Sequence, residues 1–266
     1  MHKLIRFRVL ITATLLFIVG CTKTPADSNA VHLVNPGKLT VCTNVPFEPF
    51  QFYQGGKVVG FDVDIVDLAA HNLGVTQEIV NIDFALIKSG AALDSGKCDL
   101  AAAGMTITDE RKQNIDFSEP YFEASQALMA RKDLRLTSLD DVQAKGLKIG
   151  ALASTTGRDY VKKLGFDPIE FADSARQLLA LQTGQIDVLI QDLPVVRTWL
   201  RKPEIAAKFV MVTSLNTGER YGVGMRKGNS ALAKVVNDAI QSAKQDGKYS
   251  AIYKKWFGID PDSTAP

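Results

Sequence analysis

Residues 98–111 read CDLAAAGMTITDER, and this stretch passes from an apolar run through one glycine into a polar turn. The run of small and apolar residues before Gly104 predicts a buried strand. Thr108 followed by Asp109 is typical of a helix start. The stretch therefore predicts a strand that ends at a glycine and leads through a polar turn into a helix.

The polar turn carries groups that suit the binding of a small carboxylate. The Thr106 hydroxyl and nearby backbone N–H groups are hydrogen-bond donors, and the planar guanidinium of Arg111 can hold two carboxylate oxygens at once. The alternative is a surface turn in which Arg111 pairs with Asp109 or Glu110.

Strand and helix patterns alternate on both sides of this stretch. Before it, strands are predicted at 39–43, 58–61 and 77–81, with helices from Asp62 and around 86–93. The alternation restarts later, with strands at 147–151, 169–171 and 186–191 and helices at 156–164, 174–183 and from Asp192. Such alternation indicates parallel pairing, so two open α/β sheets are expected.

Two extended stretches, 126–131 and 219–226, separate these patterns and would connect two lobes as crossing strands, which is a hinge geometry. The final helices, 229–245 and 248–256, need a sheet to cover and are expected to return to the first lobe. The predicted division is 37–127 plus 224–258 for lobe 1 and 128–223 for lobe 2, with a tail at 259–266.

The first twenty residues have the pattern of a secretory signal: three basic residues, an apolar run and a small residue at the exit. Residues 18–21, IVGC, resemble the bacterial lipobox, which implies that Cys21 is lipidated and becomes the first mature residue. Residues 21–36 are then expected to be a flexible tether. The alternative is a plain signal peptide with an incidental cysteine.

Composition and charge are those of an ordinary globular protein and not of one that binds nucleic acid. The 266 residues are 46% hydrophobic and 23% charged, as in ordinary globular domains. Residues 1–20 hold three of the 31 basic residues and none of the 29 acidic ones, so the remainder has 28 basic residues and a net charge of −1. There is no basic excess for binding nucleic acid.

Cys42 and Cys98 leave two interpretations open. An oxidising exterior would permit a disulfide. The alternative of two buried thiols is favoured, because Cys42 lies near the end of one predicted strand and Cys98 at the start of another, which predicts a separation too large for a bridge.

The chain resembles the bacterial solute-binding proteins of ABC importers in the polar amino acid group, similar to those for glutamine, histidine and lysine/arginine/ornithine. The resemblance spans 37–258, and no single motif carries it; the order and spacing of all of them do. The motifs are FEPF at 47–50, VGFDVD at 59–64, AGMTIT at 103–108 with Arg111, DFSEPY at 116–121, STTG at 154–157, QD at 191–192, DGKY at 246–249 and WFG at 256–258. It implies a two-lobed, type II periplasmic-binding-protein-like α/β fold.

The resemblance also implies residue roles. Arg111 would hold the ligand α-carboxylate, helped by Thr106 and by donors at Thr156, the start of a helix. Asp192 would pair with the α-ammonium, with the Gly104 carbonyl as a second acceptor. For Asp192 the alternative is a helix cap.

Three residues are expected to set specificity: Asn44, Phe47 and Phe84, of which the two aromatic residues would flank the ligand side chain unless they belong to the core. Asn44 stands where relatives for basic amino acids and glutamine carry Asp, and Leu152 replaces a Lys of the glutamine binder. The side chain of the ligand is therefore left open.

The implied function is that of a lipid-anchored receptor on the extracytoplasmic side of a bacterial membrane. It would be a monomer that binds a polar or basic L-amino acid between two lobes and delivers it to the membrane permease of an ABC importer. No catalytic residue, cofactor or metal is expected; Asp62, Asp64 and Asp67 are interpreted as helix-start and exposed carboxylates. The alternatives are a cyclohexadienyl/arogenate-type dehydratase, for which Glu48 is the one unassigned carboxylate near the cleft, and a ligand-sensing subunit of a separate receptor.

Overall fold

A computed structural model describes residues 30–261 of the chain. This part contains twelve strands: β1 (Lys38–Thr43), β2 (Phe52–Gln54), β3 (Lys57–Val59), β4 (Thr76–Asn81), β5 (Leu100–Ala101), β6 (Ile115–Phe117), β7 (Phe122–Arg131), β8 (Ile149–Leu152), β9 (Ile169–Phe171), β10 (Val188–Asp192), β11 (Phe209–Tyr221) and β12 (Gly224–Arg226).

The helices of the same part include several of only one turn. They are α1 (Phe61–Asn72), α2 (Phe84–Lys88), α3 (Ala91–Asp94), α4 (Asp109–Asn114), α5 (Leu139–Ala144), α6 (Thr156–Lys163), α7 (Ser174–Thr183), α8 (Leu193–Leu200), α9 (Pro203–Ala206), α10 (Ser230–Gln245) and α11 (Lys248–Phe257), with a 3₁₀ turn at Lys132–Leu134.

Two five-stranded sheets form the framework. The first has the order β4-β1-β5-β12-β6, in which β4, β1 and β5 are parallel and β12 is antiparallel to both of its neighbours. The second has the order β11-β7-β10-β8-β9, in which β10, β8 and β9 are parallel and β7 is antiparallel to both of its neighbours. The predicted α/β class with two open, mainly parallel sheets is confirmed.

The chain crosses between the two sheets twice, beside β7 and β11. The Ser118 N–H donates to the Val223 carbonyl at 2.9 Å, and the Tyr121 N–H donates to the Tyr221 carbonyl at 3.0 Å. The first crossing segment lies between β6 and β7, and the second lies where β11 leads into β12. These two hydrogen bonds join the segments to each other.

Aromatic side chains fill the core at the crossing. Phe50 packs edge-on against Phe122 and Tyr221, with ring centroids 5.1 and 5.2 Å apart, and Phe61 and Phe257 complete the cluster. These rings come from β7 and β11 of the second sheet, from the loop after β1, and from α1 and α11. The last helix packs against α1, which follows the first strand of the first sheet. Aromatic pairs at such distances stabilise a fold beyond the area they bury.

Gly60, the residue before α1, has a backbone that other residues could not adopt. Its φ is +145°, and a Cβ there would lie 2.0 Å from the Phe50 carbonyl oxygen. This close approach lets the Asp62 N–H donate to that carbonyl at 3.0 Å. The start of α1 is therefore held against the loop that follows β1.

Several sequence-based boundaries differ from the structure. The strand predicted at 98–103 is the two-residue β5, and the helix predicted at 86–93 is two single turns, α2 and α3, separated by Gly90 in the left-handed region. The extended stretch at 219–226 is the end of a much longer strand, β11, and continues into β12. Short strands and helix breaks depend on long-range pairing more than on local propensity.

Cys42 and Cys98 form a disulfide, with their Cα atoms 5.7 Å apart. The preference for two free thiols was wrong. It assumed a long strand after Cys98, whose start would lie far from the end of β1. Because β5 has only two residues and Ala101 pairs with Cys42, Cys98 stays within bridging distance.

The predicted signal peptide at 1–20 and Cys21 lie outside the described residues. The described end of the predicted tether contacts the domain: Val31 and Leu33 pack on the core, and the Val34 N–H donates to Asp99 Oδ1 at 2.7 Å. Those residues are therefore docked, contrary to a flexible tether reaching residue 36. Between residues 30 and 261 no helix is both long and apolar enough to cross a membrane.

Candidate functional site

A cavity lies between the two sheets, beyond the carboxyl ends of β1, β5, β8 and β10, where open α/β sheets bind their ligands. Its empty space is about 470 Å³, including the part open to solvent. All eight predicted binding residues line it, together with further residues of both sheets. The predicted eight are Asn44, Phe47, Phe84, Gly104, Thr106, Arg111, Thr156 and Asp192.

Arg111 lies in the first turn of α4, where the Thr108 hydroxyl accepts a hydrogen bond from the Arg111 N–H at 3.2 Å. Its guanidinium is buried, donating to the carbonyls of Thr106 at 2.7 Å and Ser154 at 3.4 Å. The guanidinium carbon lies 5.2 Å from the centroid of the Phe84 ring. The interpretation as an exposed turn, with Arg111 paired to a neighbouring acid, is wrong.

Asp192 ends β10 and precedes α8, but its carboxylate caps no helix. It accepts hydrogen bonds from the Tyr221 hydroxyl and from the Gln126 amide instead. Burial raises the pKa of Asp192 to about 7, and the charge of Glu219 adds to that rise. Both hydrogen bonds and the charge of Arg111 act in the opposite direction.

Glu219 is the main residue of this site that the sequence analysis missed. Its carboxylate is buried and accepts hydrogen bonds from the hydroxyls of Thr106 at 2.8 Å and Thr156 at 3.0 Å. The Gln126 amide bridges it to Asp192. In the sequence Glu219 sits in an extended stretch without a motif, so no local signal distinguishes it from its neighbours.

The two bonds to Glu219 decide what the threonines can offer a ligand. Each hydroxyl has one proton and directs it to Glu219, so neither hydroxyl can also donate to a carboxylate. Among residues 30–261 the backbone N–H groups of Thr106 and Thr156 have no acceptor. Those N–H groups, one of them at the start of α6, are therefore the donors available beside Arg111.

Gly104 and Phe47 shape the opposite side of the cavity. Gly104 has a φ of +55°, and a Cβ there would lie 2.6 Å from Phe47 Cε1. The Gly104 N–H donates to Asp62 Oδ2 at 2.7 Å, and the Tyr121 hydroxyl donates to Asp62 Oδ1. Burial raises the pKa of Asp62 to about 6. Asp62 lies in the first turn of α1, as expected of a helix-start carboxylate, but it is buried rather than exposed and accepts the Gly104 N–H.

Asp64 is half-buried, because its carboxylate accepts hydrogen bonds from Lys255 and from the Trp256 indole, each at 2.7 Å. Asp67 is exposed, as expected. Within the described part of the chain, no group of three or more His, Cys, Asp or Glu residues could hold a metal ion.

Glu48 does not line the cavity. It forms an ion pair with Lys202 at 2.7 Å, across the two sheets. A carboxylate that is paired with an ammonium and turned from the cavity is not placed to protonate a bound molecule.

A family model described as bacterial extracellular solute-binding proteins, family 3, matches residues 39–259. A probable histidine-binding protein of Neisseria gonorrhoeae is 34% identical over 243 residues, covering 89% of each chain. A putative ABC transporter arginine-binding protein of Escherichia coli is 33% identical over 221 residues, covering 81% of this chain and 88% of the relative.

One solved structure, an ancestral arginine-binding protein bound to glutamine, is 40% identical and superposes with a TM-score of 0.77. The match covers 84% of this chain and 99% of that protein. The fold therefore has its counterpart in this group of binding proteins. The chain belongs to the bacterial extracellular solute-binding proteins of family 3.

Proposed function

We propose that this protein is an extracytoplasmic receptor that binds an L-amino acid in the cavity and delivers it to the membrane permease of an ABC importer. One observation carries the proposal. Among the described residues that line the cavity, Arg111 is the only cation and Asp192 the only carboxylate. Arg111 lies on α4, which follows β5 of the first sheet, and Asp192 ends β10 of the second sheet.

This pair complements the charges common to all amino acids. The α-carboxylate would meet the Arg111 guanidinium and the N–H groups of Thr106 and Thr156. The α-ammonium would meet the Asp192 carboxylate and the Gly104 carbonyl. Because both charged residues are buried, water screens their attraction to a ligand only weakly.

The predicted bodies that would close on the ligand are residues 37–127 plus 224–258 and residues 128–223. Because β7 (Phe122–Arg131) belongs wholly to the second sheet, we place the first limit between them before residue 122. Three contacts join the two bodies across the cleft. The Ser174 hydroxyl donates to the Pro46 carbonyl at 2.6 Å, Arg111 donates to the Ser154 carbonyl, and Glu48 pairs with Lys202. Each of these contacts would have to break for the cleft to open.

The N-terminal sequence supports a lipid anchor at Cys21 after removal of residues 1–20. The protein would act as a monomer. One acyl chain binds a membrane only marginally, so stable retention implies several chains. Metabolic labelling with palmitate tests the anchor: the wild type should be labelled and C21A should not. Equal labelling of both would reject Cys21 as the site.

The receptor role is favoured over a dehydratase on the same fold, because Glu48 is paired outside the cavity and Asp192 is the expected ammonium partner. A ligand-sensing subunit for a separate receptor would use the same cavity. Incubation with arogenate and prephenate, monitored for ring aromatisation, separates the dehydratase from both binding roles.

Calorimetry of the refolded, ligand-free protein against the twenty amino acids tests the receptor proposal directly. Saturable binding of at least one L-amino acid, at one site per chain, is expected. Failure of every amino acid to bind would reject it.

Affinity should depend on pH through Asp192. In the free protein the Asp192 carboxyl has a pKa of about 7, and an adjacent ammonium would lower it again. Binding therefore releases a proton below pH 7, and Kd should rise about tenfold per pH unit as pH falls towards 5.

Calorimetry at pH 5 to 8, with an amino acid whose side chain does not ionise, measures this slope. D192N should bind weakly and without the slope. D67N is the control and should keep the wild-type slope, because it makes the same replacement at an exposed carboxylate that does not line the cavity. A Kd in the wild type that is constant from pH 5 to 8 would contradict the assignment.

Replacing Glu219 by glutamine should weaken amino acid binding about 10- to 100-fold, which is the cost of disrupting a buried hydrogen-bonded carboxylate. Glu219 accepts hydroxyl protons from both sides of the cleft, and an amide would present N–H groups to some of these donors. Loss of its charge should also shift the pH dependence of binding to lower pH.

Calorimetry of E219Q beside E123Q measures both effects. Glu123 is the matched control, because it is exposed and lies on β7, the strand paired with β11. If E219Q bound amino acids with the affinity and pH dependence of the wild type, Glu219 would have no role in binding.

A further inference from the structure

Gln51 is a polar residue of the cavity wall to which the proposed recognition of the amino and carboxyl groups gives no role. Its side chain is 1% exposed, and its Nε2 donates to the Asn44 carbonyl at 3.2 Å. That bond sets the orientation of the amide, because the reversed amide would place two oxygens against each other. The Gln51 Oε1 is buried and has no hydrogen-bond partner among the described residues.

Asn44 also lines the cavity, but it is only partly buried. Its Nδ2 donates to the Ile82 carbonyl at 2.9 Å, which again sets the orientation of the amide. The Asn44 Oδ1 accepts no hydrogen bond from residues 30–261. Two amide oxygens of one wall are therefore free to accept hydrogen bonds. Of these, the buried Gln51 Oε1 is unfavourable without a donor.

The aromatic residues of the wall limit the shape of what can meet these oxygens. Phe47 and Phe84 both line the cavity, and aromatic walls favour a flat group between or against them. The Phe84 ring already contacts the Arg111 guanidinium, so a second cation against that ring would be repelled by the first.

The charges of the cavity argue in the same direction. If Arg111 and Asp192 hold the two charges of the amino acid, none of the described residues of the wall carries a charge to balance an ionised side chain. A side-chain cation would have to lose its water without a carboxylate partner, which disfavours it.

We propose that the ligand has an uncharged, flat side chain that ends in N–H donors, either a carboxamide or a neutral imidazole. The acceptors for those N–H groups are Gln51 Oε1 and Asn44 Oδ1. This inference rests on the proposed function, since it assumes that Arg111 and Asp192 hold the amino acid backbone.

Calorimetry at pH 8, where free imidazole is neutral because its pKa is about 6.5, tests the inference. The ligands are glutamine, asparagine and histidine on one side, and arginine, lysine and methionine on the other. We expect the wild type to bind at least one of the first three about tenfold or more tightly than all of the others. Q51L should bind that ligand about 10- to 100-fold more weakly, because the N–H donor of the ligand side chain is left unpaired. The affinity of Q51L for methionine should change little.

Q51E provides a second test that keeps an acceptor at this position. Its added carboxylate should raise the affinity for arginine relative to the preferred ligand of the wild type. The matched control is Q185E, which adds the same charge at an exposed position outside the cavity and should change neither ratio. Thermal melting followed by circular dichroism shows whether each variant is folded, and Q51E decides if Q51L is not.

The outcomes separate the two proposals. A wild type that prefers arginine, lysine or methionine, or a folded Q51L with unchanged affinity for the preferred ligand, would overturn the inference and leave the receptor function standing. Absence of binding by any amino acid would overturn both.

Discussion

R111A is expected to lose amino acid binding almost completely while the protein stays folded. The guanidinium is buried, and it is the one cation among the described residues of the cavity wall, so its removal leaves a bound α-carboxylate without a counter-charge. Truncating one partner of such a pair costs about 2 to 5 kcal/mol, which corresponds to roughly 30- to 5,000-fold in Kd.

R111K separates charge from geometry. Lysine keeps the positive charge but lacks the planar fork that can donate to two oxygens, so its affinity should fall between that of R111A and the wild type. Calorimetry gives the affinities, and circular dichroism checks the fold. R176A is the control, because Arg176 is an exposed residue of α7 that pairs only with Asp173. Binding by R111A within a factor of three of the wild type would exclude Arg111 as the carboxylate ligand.

Removing the bridge between Cys42 and Cys98 is expected to cost the most stability. The bridge closes a loop with a sequence separation of 56 residues. Loss of the closed loop gives the unfolded chain more freedom, which lowers the free energy of unfolding by up to about 4 kcal/mol for a loop of this length. The bridge joins β1 to the turn before β5, so the first sheet should lose the most protection of its backbone amides against hydrogen exchange.

Urea unfolding of the C42A/C98A double variant, with Cys21 also replaced by alanine in every sample, measures the loss. The protein with Cys42 and Cys98 intact should approach the double variant when a reductant is added, whereas the double variant should not respond to reductant. Without reductant, a difference of less than about 0.5 kcal/mol in the free energy of unfolding between the protein with Cys42 and Cys98 and the double variant would indicate that the bridge constrains the unfolded chain little.

The ends of the predicted strands placed the candidate site well. Asn44 follows β1, Gly104 follows β5, and Asp192 ends β10. The carboxyl ends of parallel strands face the same edge of a sheet, so residues there meet without any knowledge of side-chain packing. The resemblance to the family supplied the eight residues, and this common edge explains why those that follow strands lie in one cavity.

The same reasoning could not find Glu219 or Gln51. Glu219 belongs to β11, whose pairing with β7 contains two register shifts, so the direction of its side chain depends on those irregularities. Gln51 follows the FEPF motif by one position, but its burial results from contacts made across the loop after β1. Neither position shows a periodicity that separates an inward side chain from an outward one.

By itself, the sequence determined the α/β class, the two sheets, the family and eight of the residues around the cavity, because hydrophobic periodicity and motif order are local properties of the chain. Tertiary structure alone decided that Cys42 and Cys98 meet, that Asp62 is buried, that the threonine hydroxyls donate to Glu219, and that the Gln51 oxygen has no partner. Each of these depends on which strands are neighbours and in what register, and on the direction that each side chain takes. Those properties arise only when distant parts of the chain pack together.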